Sequence, residues 1–211
     1  MDLTILTNYY DLYLLGIKNT LIASLISIMG AMFLGTFIAV CRIYPNKLLN
    51  GIAAAYVEFI RNIPLLVVIF FFFIGLSLNG FISGVLGLII YYSTLICEAI
   101  RAGILSIPKG QLESALSTGL NYSQAMRNVI LPQAIRVVIP PIGNQFLNIV
   151  KNSSLIAVVA GFDLMYYSDI IASKTYKIFD VYIFAGVFYL LLTIPISIGV
   201  QLLEKKLSLN N

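Results

Sequence analysis

The chain has 211 residues, 60% hydrophobic and 10% charged, with a mean hydropathy of +0.96 and a formal net charge of +4. A soluble domain carries about 25% charged residues, so this composition lacks a polar coat and excludes a soluble enzyme, a nucleic-acid binder and a disordered regulator. It fits a polytopic membrane protein, with length for about five spans of roughly 20 residues.

The N-terminus, Met1-Asp2-Leu3-Thr4-Ile5, has no basic n-region and no small-residue cleavage site, so it reads as retained. The first apolar run, Leu21 to Cys41, ends at Arg42 and Pro45 and belongs to a span over about 14–41. A second span, about 52–78, is interrupted by Glu58, Arg61, Asn62 and Pro64. A third covers about 81–106, and a polar loop follows over about 107–132. The fourth, about 134–159, contains Lys151-Asn152-Ser153-Ser154, and the last, about 179–203, contains Pro195. Nothing alternates like a barrel strand. The fold class is an all-α integral membrane protein.

Five spans place the two ends on opposite sides, and the basic residues decide which is which. Arg42, Lys47, Arg101, Lys109, Arg127, Arg136, Lys205 and Lys206 fall on one side, eight of the 13 Lys and Arg. Lys18, Lys174 and Lys177 fall on the other, beside Asp2, Asp11, Asp163, Asp169 and Asp180. The positive-inside rule then puts the N-terminus outside and the C-terminus in the cytoplasm. Tyr9, Tyr10, Tyr13, Tyr166, Tyr167, Tyr176 and Tyr182 suit an outer interfacial belt.

The chain contains no His, which removes His-ligated zinc and Ser-His nucleophile pairs. Cys41 and Cys97 lack CxxC spacing and read as buried packing thiols. No catalytic residues, metal or cofactor are expected. The Phe70–Phe73 and Phe184–Phe188 clusters read as lipid or packing surface.

Ser106 and Pro108 predict a helix start, with Pro inside the first turn. Leu112, Ala115, Leu116 and Gly119 recur at helical spacing, and Gly119 suits the C-terminal cap. Asn121 and Gln124 predict a capping box for a second helix, which Pro132 ends or kinks. The loop is thus two short helices against the inner membrane face.

Glu113-Ser114-Ala115, three residues, Gly119, nine residues and Val129-Ile130-Leu131-Pro132 resemble the EAA loop of prokaryotic ABC importer permeases. The chain departs by Ser at the second position and Val for Ile. Flanking segments Glu98-Ala99-Ile100-Arg101-Ala102-Gly103-Ile104, Ser106–Gln111 and Tyr56–Leu66 resemble the polar amino-acid uptake branch, and similarity runs from Gly16 to Leu207. The resemblance implies one transmembrane permease domain over 1–211, of type I importer fold, in the bacterial cytoplasmic (inner) membrane.

It also implies a coupling helix in which Glu113, Ser114, Ala115, Gly119, Leu131 and Pro132 serve a separate ATP-hydrolysing subunit. Small residues Ala115 and Gly119 would allow close approach. The chain has no GxxxxGK[ST] sequence, so it builds no P-loop of its own. Implied partners are ATP-binding subunits, a second identical or related permease forming a dimer, an extracytoplasmic solute-binding protein and an amino-acid solute. A channel or secondary transporter is the competing reading, and it would need no ATPase.

Ionisable groups in apolar runs are costly and mark candidate pathways. Glu58 and Arg61 share a helix face before Asn62 and Pro64; they read either as a neutralising pair or as solute-lining groups, with carbonyls freed by Pro64. Asn144, Asn148, Lys151 and Asn152 fall on one face, with Gln145 beside them, and read as pathway or as interhelical hydrogen bonds. A helix broken at Lys151–Ser154, restarting at Ser153 or Ser154, would aim a positive end at a solute carboxylate. Many permeases that the chain resembles read Lys-Asp-Ser/Thr-Ser where this one reads Lys151-Asn152-Ser153-Ser154. Asn152 carries no charge to attract a basic side chain, which favours glutamate, aspartate or glutamine over arginine or lysine.

Overall fold

Inside a bilayer an apolar chain has no water for its amides, so they bond within helices. The computed structural model describes residues 2–208, and every regular element among them is helical. Met1 and residues 209–211, the ends of the expected 1–211 domain, lie outside the described residues. In chain order come α1 (Thr4–Asn8), α2 (Tyr10–Ile43), α3 (Lys47–Arg61), α4 (Leu65–Phe70) and α5 (Gly80–Leu105). The loop holds α6 (Lys109–Ser117) and α7 (Tyr122–Ala125), and α8 (Leu131–Asn152), α9 (Leu164–Thr175) and α10 (Ile178–Ser208) follow. π-helical turns occupy Phe71–Gly75 and Met126–Ile130, and a 3-10 stretch covers Ser153–Val159.

Three helices, α2, α5 and α10, are each long and apolar enough to cross a membrane. Two bent pairs raise the candidate spans to five: Lys47–Arg61 with Leu65–Gly75, at 103°, and Tyr122–Val159 with Leu164–Thr175, at 51°. Asn46 starts α3 by accepting from the Leu48 and Leu49 amides at 3.0 and 3.2 Å. The first bend lies at Pro64, whose backbone turns extended (ψ 136°) between α3 and α4. Here one expectation is corrected. The Asn62 amide side chain donates to the Glu58 carbonyl at 2.7 Å, and the Ile63 N–H to the Ile60 carbonyl at 3.2 Å. Local bonds take up the carbonyls that Pro64 was expected to free.

The centre of the bundle is α2 packed along α5. Its contact face on α2 is built from Ala23, Ser27, Ala31 and Gly35, small residues spaced four apart that let backbones approach. A Cβ at Gly35 would lie 2.7 Å from the Ser93 carbonyl oxygen. Leu88, Ile96, Ile69, Ile149 and Ile156 fill the core between α5, α4, α8 and the 3-10 stretch. Outward side chains such as Phe33, 81% exposed, suit contact with lipid. Cys41 and Cys97 are free and buried in one small cluster, as their apolar surroundings predicted.

Gly80 makes the tightest approach: a Cβ there would lie 1.8 Å from the Val159 carbonyl oxygen. Gly80→Ala must push the 3-10 stretch away and is expected to cost about 1–3 kcal/mol. A lowered thermal transition of the purified protein would show it, and an unchanged transition would contradict this packing.

At the ends of α1 and α10, Asp2 pairs with Lys177 and accepts from the Thr4 hydroxyl and amide at 2.6 and 3.0 Å. These partners hold the Asp2 carboxyl below the usual carboxylate range and raise the Lys177 ammonium above its own. The clamp therefore weakens only as pH falls through the lowered Asp2 value or rises through the raised Lys177 value.

Candidate functional site

The polar loop is built from caps. The Ser106 hydroxyl donates back to the Gly103 carbonyl at 2.7 Å, closing α5 instead of opening α6. Pro108 sits at the N-cap of α6, just before its first turn, which corrects the expected placement inside that turn. Gly119 has φ +88°, a left-handed conformation, and its N–H reaches the Leu116 carbonyl at 3.0 Å. The expected capping box is present, with Asn121 and Gln124 exchanging bonds of 2.9 and 3.0 Å.

Glu113, Ser114 and Leu116 are exposed on α6 and Gly119 just beyond it, whereas Ala115 is only 6% exposed. Ala115 therefore seats α6 on its own loop, and it is not on the face open to a partner. Leu131 and Pro132 are exposed. Of the two expected outcomes at Pro132, an end or a kink, the end does not occur: the chain runs through the π turn at Met126–Ile130 into α8. The π turn just before it, where the Leu131 N–H bonds the Met126 carbonyl, carries the helix past the N–H that Pro132 lacks. The Gln133 side chain takes up the Val129 carbonyl at 2.9 Å.

The expected break at Lys151–Ser154 is absent. Asn152 and Ser153 keep right-handed helical backbone, and α8 tightens directly into the 3-10 stretch. The Ser153 and Ser154 hydroxyls donate to the Val150 and Lys151 carbonyls at 2.7 and 2.8 Å, favouring continuation over a new helix start. The real break comes later, at Ala160 and Phe162, both with positive φ, where Asp163 caps α9.

The polar stripe on α8 divides. Asn144, Asn148 and Lys151 are exposed, Ser153 is buried, and Asn152 donates to the Tyr92 hydroxyl on α5. Lys151 and Ser154 line an open cavity of about 360 Å³ with Met165, Tyr182 and Tyr189. Gln145 Oε1 is buried without a partner. Glu58, Arg61, Asn62 and Pro64 are exposed at the end of α3 and do not line that cavity. No ion pair joins Glu58 to Arg61 among the described residues.

Two polar groupings escaped sequence reasoning. Glu98 binds Arg42 and, at 3.0 Å, Arg101, joining the C-terminal ends of α2 and α5. Asp163, 1% exposed, accepts from the Met165 and Tyr166 amides and from the Tyr189 hydroxyl at 3.2 Å. The available signal was an Asp just after Gly161-Phe162, at a helix N-cap position.

Residues 31–209 match the family of binding-protein-dependent transport system inner membrane components. The chain belongs to this family. It is thus a multi-pass permease of the inner membrane and a transport subunit, not an enzyme. The permease is 55% identical to GlnM of Bacillus subtilis, a probable glutamine ABC transporter permease protein, over 98% of each chain. It is 33% identical to the glutamate transport system permease protein GluC of Corynebacterium glutamicum, over 90% of this chain and 91% of that one. Among solved structures it superposes on a chain of an amino acid ABC transporter with histidines, TM-score 0.91, 34% identical, covering 98% and 99% of the two chains. A chain of the MetNI methionine ABC transporter shares the fold, with TM-score 0.82, 18% identity and 95% and 98% coverage. The type I importer fold expected from the loop is therefore the one observed.

Proposed function

We propose that this permease is the membrane subunit of an ATP-driven, binding-protein-dependent importer of polar amino acids, favouring glutamine, glutamate and aspartate. The single observation that carries the reading is α6, a short polar helix presenting Glu113 and Ser114 outward and closed by left-handed Gly119. Such a helix offers a separate ATPase a charged seat, and nucleotide-driven closure of two ATPases would rock two permeases between outward and inward access. The partners are those ATPases, a second identical or related permease, and an extracytoplasmic binding protein.

On the solute side, Lys151 supplies a positive group beside an open cavity, and Asn152 is neutral. A carboxylate or amide solute suits that chemistry better than a guanidinium. The names of relatives that carry glutamine and glutamate support the same choice. Glu58, Arg61, Asn62, Pro64, Asn148, Ser153 and Ser154 belong to the proposed pathway, with Glu58 outside the Lys151 cavity of its own chain.

The test is uptake by the complex reconstituted with ATPase and a binding protein that accepts all five solutes. Glutamine, glutamate and aspartate are expected to compete strongly and arginine and lysine weakly, and uptake is expected to require ATP. Strong competition by arginine overturns the solute choice. Uptake without nucleotide overturns the importer reading in favour of a channel or secondary transporter.

A further inference from the structure

The C-terminal ends of α2 and α5 meet through Arg42 and Glu98. Beside this junction, under the start of α6, lies a cavity of about 420 Å³ with Arg42, Arg101 and Lys109 in its wall. Two guanidiniums and an ammonium face a single carboxylate, Glu98, which already binds both arginines. The cavity therefore holds an excess of positive charge. Asn50 also lines it, and its side chain donates to the Arg42 carbonyl at 2.7 Å, tying α3 to the same corner.

A second cavity of about 420 Å³ adjoins it, sharing Ile43, Ile104, Tyr122 and Met126 as walls and continuing along Val40 and Tyr44. That second space is almost wholly apolar. A cationic chamber joined to an apolar one, at the end of two membrane-crossing helices, has the chemistry of a phospholipid: a phosphate at one end and an acyl chain at the other. On the orientation that the proposed function shares, this end faces the cytoplasmic leaflet, where anionic headgroups meet basic pockets between helices.

We propose that the permease binds one anionic phospholipid here, its phosphate beside Arg101 and Lys109 and an acyl chain along Val40, Ile104 and Met126. The lipid fills the corner between the loop that carries α6 and the membrane helices. Nothing in the site selects one anionic headgroup over another. The charge excess selects anionic over zwitterionic lipid.

Native mass spectrometry of the purified permease–ATPase complex tests this. The complex is washed in detergent and supplied with equal phosphatidylglycerol and phosphatidylcholine. Phosphatidylglycerol is expected to be retained over phosphatidylcholine. Lys109→Gln, at an exposed position, is expected to lower that retention about fivefold, the worth of one basic residue near an anionic surface. Arg101→Lys, which keeps the charge, should retain the lipid. Equal retention of both lipids, an unaffected Lys109→Gln complex, or displacement by inorganic phosphate each overturns the proposal. Retention is read without transport, so its failure leaves the importer reading standing.

Discussion

Gly119→Val is expected to cut transport at least tenfold while the spans still insert and the protein still purifies. The cost is set by backbone conformation and not by space. Gly119 holds φ +88°, yet a Cβ there would meet nothing within 4 Å. A β-branched side chain is a poor occupant of left-handed backbone, at about 1–2 kcal/mol or more for an ordinary L-residue. Relieving that strain by reopening the turn between α6 and α7 would swing Glu113 and Ser114 away from the seat proposed for them on the ATPase. Asn tolerates the left-handed region, so Gly119→Asn should keep most of the activity. Uptake and solute-stimulated ATP hydrolysis, measured side by side on both variants, decide the matter. Normal coupling in the Val variant would falsify the assignment of α6 as the coupling helix.

Glu98→Leu should destabilise the protein by about 1.5–3 kcal/mol, because it leaves two partly buried guanidiniums without their counter-charge and charge-assisted hydrogen bonds. Arg42 is 12% exposed at its side chain and Arg101 33%, so Arg42 bears most of the loss. The Arg42 Nε is already buried without an acceptor, which leaves that guanidinium no spare bond to fall back on. Cys41 and Cys97 lie buried close by and make a convenient reporter, since a thiol-reactive dye labels them only when this corner opens. The labelling temperature should fall for Glu98→Leu and recover in part for Glu98→Leu with Arg42→Met. Failure of the double variant to recover would show that Glu98 acts through packing and not through charge.

Much of the loop was legible because its signals are local. A left-handed glycine, a capping box and a proline each act within one turn, and Gly119, Asn121 and Gln124 stand as their residue types predict. Ser106 misled, and Pro132 stayed ambiguous, because the same residue types serve two purposes. A proline ends a helix unless a π turn takes up its missing N–H, and a serine caps a start or bonds backwards at an end. Which applies depends on where the neighbouring helix already stops.

Composition and spacing alone determined that this chain is an all-helical membrane protein and where its apolar runs lie, since both depend on hydropathy and short-range order, while the family was read from the resemblance of Glu113–Pro132 to the EAA loop. Tertiary structure decided the rest. Ala115 turned inward, Asn152 found Tyr92, Arg42 found Glu98 across 56 residues, and Glu58 stayed apart from Lys151. Periodicity assigns a residue to a face of its own helix, but not to the helix it meets. In a bundle apolar on nearly every side, hydropathy no longer ranks the faces, and close packing of small residues between α2 and α5 fixes the partners instead.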